Sequence, residues 1–197
     1  ITLFKDNGYY QDTKDKEVLL DLKGSTYNLE NGNVVETKLD AKSVFENRID
    51  KNWLEKKFTM PAIKAGSIIE YSYTIKSDFL FNLQPWYFQG KYPCLWSEYK
   101  VKIPDFFAYI SLSKGYNPYF INEKKTESRV FRVEEVAWKR SSSYGSNTPE
   151  IFSLNANVLM NRWVIKDVPA LKEESMLSTS KNYVSKIEFQ LSQFRFT

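Results

Sequence analysis

The chain has 197 residues, enough for one sizeable core, and reads as a single domain over 1–197 with 192–197 as a linker-like tail. Its 28 basic and 24 acidic residues leave a net charge of +4 spread along the sequence, which describes a solvated surface rather than a nucleic-acid footprint. No stretch reaches the ~18 uncharged apolar residues of a membrane span, and an aromatic content of 16% with only 7 Gly and 7 Pro argues against disorder and for an ordered, sheet-rich fold.

In chain order, STYNLENGNVVETKL (Ser25 to Leu39) places Asn31 and Gly32 between two alternating arms, and Asn-Gly tolerates the positive φ angles of a type I′ hairpin turn. DAKSVFENRI (Asp40 to Ile49) offers a capping Asp and a short apolar pair, for at most two helical turns. In FTMPAIKAGSIIEYSYTIKS (Phe58 to Ser77), Pro61 and Gly66 make a turn, after which Ile69, Tyr71, Tyr73 and Ile75 alternate with Glu70, Ser72 and Thr74. Period two marks a half-buried strand, so Tyr71, Tyr73 and Ile75 are expected in the core.

FLFNLQPWYFQGKYPCLW (Phe79 to Trp96) packs seven rings into 18 residues. Pro85 and Pro93 bracket it, which points to an edge strand or a loop. Two readings stand side by side. The rings fill a core, or Trp86, Tyr87, Phe88, Tyr92 and Trp96 form a binding platform for a peptide or a glycan. Within an extended segment Tyr87 faces away from Trp86 and Phe88 and is expected to be the exposed ring.

YKVKIPD (Tyr99 to Asp105) sets Tyr99, Val101 and Ile103 against Lys100 and Lys102 until Pro104 stops the ladder. SRVFRVEEVAWKR (Ser128 to Arg140) changes parity between Val133 and Val136, which suggests a bulge, and SSSYGSNTP (Ser141 to Pro149) reads as a loop. Ile187, Phe189 and Leu191 share one parity while Phe194 and Phe196 take the other, so a second bulge intervenes or the strand ends there. Many strands and few short helices make an all-β fold, an antiparallel β-sandwich or barrel-like arrangement.

The chemistry is bounded by a histidine count of zero. A self-contained Ser-His or Cys-His mechanism needs an imidazole to take and return a proton, so no catalytic residue is assigned. His-ligated zinc is excluded and the lone Cys94 cannot build a thiolate cluster, so no metal is expected. Flanked by Pro93 and Leu95, Cys94 reads as a small buried hydrophobe. The adjacent pairs Glu134, Glu135 and Glu173, Glu174 point to opposite faces of a strand and read as solvated charge. No Gly-rich phosphate loop is present, so no cofactor is expected.

Three segments, FTMPAIKAGSIIEYSYTIKS, WYFQGKYPCLWSEYKVKIPD and WVIKDVPALKEESMLSTSKNYVSKIEFQLS, carry MP-x₄-GSIIEYSY, FQ-x₃-P and VPAL-x-EE in order. Together they resemble, from about Thr26 to Leu191, the bacterial domain of unknown function that precedes transglutaminase-like cysteine-protease domains. The resemblance implies a non-catalytic all-β accessory domain of an exported, periplasmic or cell-surface protein, with the catalytic Cys, His and Asp downstream. Its partner is then that downstream domain, which it positions or for which it recognises a substrate. A carbohydrate-binding module and a pure interaction or scaffold domain are the other readings. The chain begins at Ile1 without a methionine, as expected of a trimmed or processed piece.

Overall fold

The computed structural model describes residues 1–4, 16–79, 83–135, 150–171 and 183–195. It is all-β and antiparallel, as composition and alternation imply, and among the described residues the one helical turn is the 3-10 segment Ala41–Ser43. Asp40 caps that turn by accepting the backbone N–H of Lys42 at 2.9 Å. The chain divides into two compact units, Ile1–Leu80 and Phe81–Thr197, each built from two three-stranded sheets.

In the first unit, β1 (Thr2–Phe4), β5 (Trp53–Phe58) and β4 (Val44–Arg48) form one sheet, and β3 (Asn33–Lys38), β2 (Glu17–Glu30) and β6 (Ile68–Ser77) form the other. The β2–β3 hairpin closes through Asn31 (φ 50°) and Gly32 (φ 80°), the pair of positive φ angles that a type I′ turn requires. A bulge in β2 falls between Leu20 and Lys23, where Asp21 takes φ 53°. The turn before β6 is fixed by the buried Asn28. Its amide donates to the carbonyl of Ala62 at 2.9 Å and its Oδ1 accepts the hydroxyl of Ser67 at 2.6 Å.

The expected burial of β6 does not hold. Tyr71 is 57% and Tyr73 43% exposed, and Ile69 and Ile75 are exposed with them. The parity is right, because Ile69 and Tyr71 lie opposite buried Thr26 and half-buried Gly24 of β2, and Tyr71 reaches the ring of Phe58 at 5.9 Å. Yet β6 is the edge of its sheet, and its residues are exposed from Ile68 to Lys76.

In the second unit, β11 (Glu150–Val168) is the central strand between β10 (Ile121–Glu135) and β8 (Cys94–Pro104). The other sheet orders β7 (Trp86–Tyr87), β12 (Lys186–Phe194) and β9 (Phe107–Lys114). The core joins the two through Phe88, Trp163, Ile165, Val168 and Ile187, with Tyr99 and Phe189 packed against it. Tyr99 lies 6.2 Å from Trp163 and 5.7 Å from Phe189, so the face of β8 read from alternation as apolar is the inward one. Pro104 ends β8, and the late parity break is a bulge between Leu191 and Gln193. The β10–β11 register runs unbroken through Glu135, so the parity change toward Trp138, like the loop at 141–149, lies outside the described residues.

Candidate functional site

The aromatic segment folds into a short edge strand and a loop. After Pro85, the two residues of β7 pair with β12 (Trp86 opposite Ile187, Tyr87 opposite Lys186), and the chain then loops to Cys94, the first residue of β8. A groove of about 650 Å³ runs along Trp86 to Glu98. Its loop is anchored by backbone, chiefly at the buried Ser185. The carbonyl of Ser185 accepts the N–H groups of Phe88 (2.8 Å) and Gln89 (3.3 Å), and the N–H of Ser185 donates to the Gln89 side chain at 3.4 Å. The Gln89 amide also donates to the carbonyl of Pro169 at 3.1 Å, and Leu171 N–H donates to the carbonyl of Gly90 at 2.8 Å. Gly115 (φ 94°) comes so close that an added Cβ would lie 2.5 Å from Ser185, so only glycine lets the two backbones meet.

The five sequence candidates take different places around this groove. Phe88 is 2% exposed and meets Tyr119 edge-on at 5.6 Å, which makes it core and leaves it no surface for a ligand. Trp86 stacks on Tyr99 at 5.5 Å and its indole N–H donates to the hydroxyl of Ser97 at 3.3 Å, so one ring face is already covered. Tyr87 is 53% exposed, the more exposed of the neighbouring pair as alternation requires, with the Lys186 ammonium 5.5 Å from its ring centre. Tyr92 and Trp96 are exposed, and Trp96 meets Phe120 edge-on at 5.9 Å. Trp86 and Tyr87, adjacent in a strand, face opposite ways, so these two rings do not share one plane.

Charge at the groove is fixed rather than mobile. Glu98 accepts the Trp96 indole N–H and the Arg162 guanidinium, each at 2.8 Å, and pairs with Lys100 at 2.8 Å. Hydrogen bonds from Lys100, then Trp96 and Arg162, hold its carboxyl down at about 2. A carboxylate so far below neutral pH is a poor general acid or base. The buried Lys186 pairs with Glu188, whose carboxyl is lowered by hydrogen bonds from Lys114 and Lys186. Cys94 is half-buried against the core rather than enclosed, because it opens β8 at the end of the groove. Among the described residues no group of three or more His, Cys, Asp or Glu side chains is placed to hold a metal. The arrangement can stack on an apolar or planar group, while the Glu98 charge is compensated by Arg162 and Lys100. Ser185, Gln89 and Arg162 escape a sequence reading, since Arg162 and Glu98 are 64 positions apart and Ser185 and Gln89 are 96.

The fold is similar to a crystal structure of a candidate protease from Parabacteroides distasonis ATCC 8503, with a TM-score of 0.56 and 13% sequence identity over 90% of this chain and 32% of that one. The chain thus spans about a third of the length of that protein. No curated protein matches it. Residues 13–140 match DUF3857, a domain of unknown function for which a structure has been solved, and the chain belongs to that family.

Proposed function

We propose that this chain is a non-catalytic accessory module that recognises an extended peptide for a transglutaminase-like, cysteine-protease region of the same exported protein. The observation that carries the reading is the share of the structural neighbour, a candidate protease in which this fold accounts for 32% of a longer chain. The groove supports the recognition step. Exposed Tyr87, Tyr92 and Trp96 supply apolar contact, and the loop between Phe88 and Pro93 is pre-organised by Ser185. A peptide suits these rings better than a sugar, because sugar platforms use ring faces in one plane and Trp86 and Tyr87 point to opposite sides.

Two experiments test the reading. The 197-residue chain is assayed with peptide, ester and amine-donor substrates, and no turnover is expected; turnover abolished by Cys94→Ser would overturn the non-catalytic assignment. The parent protein is then compared with a form lacking this chain, and the deletion is expected to raise KM for peptides with kcat little changed. Unchanged KM would remove the recognition role.

A further inference from the structure

The exposed strand β6 carries an interaction surface of its own. It is ten residues long, ends its sheet, and has no proline, glycine or bulge within it, so among the described residues one row of backbone N–H and C=O groups has no strand beside it. Monomeric proteins usually blunt such an edge. Here it is lined instead by Ile69, Tyr71, Tyr73 and Ile75, with Tyr71 and Tyr73 stacked at 6.3 Å and their ring planes nearly parallel. An apolar, unprotected edge calls for another strand.

We propose that β6 pairs antiparallel with β6 of a second copy of this chain, about a two-fold axis through Tyr73. The order of residues supports this occupant. With the axis at Tyr73, Glu70 of each copy lies opposite Lys76 of the other, Tyr71 opposite Ile75, Ser72 opposite Thr74, and the two Tyr73 rings stand side by side. Every pair keeps its face of the sheet, and the two ion pairs are generated by the symmetry itself. Neighbouring registers lose this match. An axis at Ser72 sets Lys76 against Ile68 and Glu70 against Thr74, and an axis at Thr74 sets Glu70 against Asp78, like against like. Both charges are free to take the role: Glu70 accepts only the Tyr27 hydroxyl at 3.2 Å, and Lys76 has no ion pair among the described residues. The product is one continuous six-stranded sheet, in the order β3-β2-β6 followed by its mirror sequence from the partner.

Sedimentation equilibrium of the chain across micromolar concentrations, with circular-dichroism melts to show that each variant is folded, tests the pairing. The wild type is expected to dimerise. Glu70→Lys and Lys76→Glu, each of which sets like charges opposite one another twice, should weaken the dimer by about tenfold or more, and the double swap should return it to within about threefold of wild type. Tyr73→Lys should leave a folded monomer. Amides of Ile69 to Ser77 should exchange slowly in concentrated solution and faster on dilution. A chain that stays monomeric overturns the proposal, including one that captures an extended peptide at β6 instead of its own copy. So does a dimer indifferent to these substitutions, or one that the double swap fails to restore.

Discussion

Glu98 takes a hydrogen bond from an indole, one from a guanidinium and an ion pair from an ammonium, all at 2.8 Å, and that arrangement has a measurable acid signature. Its carboxyl is depressed from 4.5 to about 2, so the contribution to stability is present above the unfolded value and is lost as pH falls from about 4.5 to about 2. The melting temperature of the wild type should drop across that window. Glu98→Gln should melt lower at neutral pH and show a flatter profile through the same window; parallel profiles would mean that the network is dissipated in solvent. A second contrast separates core from surface in the groove. Phe88→Ala should cost about 3–5 kcal/mol and Tyr87→Ala within about 0.5 kcal/mol, measured by urea denaturation. The Tyr87 and Phe88 difference was legible from alternation between two prolines. The Glu98 network was not, since Arg162 lies on another strand and no local pattern announces it.

At the scale of single elements, alternation predicts which side chains share a face but not whether anything covers that face. β6 shows the distinction. Its odd-numbered residues face the same side as buried Thr26, yet the strand ends its sheet and is exposed from Ile68 to Lys76. The large cost expected for a buried tyrosine therefore does not apply. At a dilution where the chain is monomeric, Tyr73→Ala should cost about 1 kcal/mol or less, and Val164→Ala, at a fully buried position of central β11, about 2 kcal/mol or more. Equal losses in denaturant titrations would mean that β6 is covered in solution by something other than a second copy. Signals tied to backbone geometry were read correctly. Asn31-Gly32 gave the hairpin, Asp40 capped a single turn while the apolar pair after it, Val44 and Phe45, went into strand β4 rather than a helix, and the parity break before Phe194 was a bulge. The bulge at Asp21 had no such mark, because LLDLK keeps its leucines on both sides of the slip.

For the whole molecule, aromatic and β-branched content with sparse glycine and proline was enough for the all-β class, since that depends on summed propensity rather than on any one partner. Division into two units was not legible, because it depends on which strands pair, and several partners are dozens of residues apart. Every described strand pairing is internal to its unit. A fragment of residues 81–197 holds both sheets of the second unit and the core around Trp163, so it should melt in one cooperative transition with near-ultraviolet signals from its tryptophans. A broad, non-cooperative melt would show that its stability draws on residues 1–80.

The pairing of β8 with β11 also sets a clock on synthesis. Pro104 pairs with Val158, 54 positions later, and Cys94 with Val168. At about 5–20 residues per second, β8 waits roughly 3–11 s on the ribosome before the nearest part of its partner exists. For that interval it is a finished strand without a neighbour, and the lysines at 100 and 102, exposed in the final structure, give it the charged edge that discourages pairing with the wrong chain.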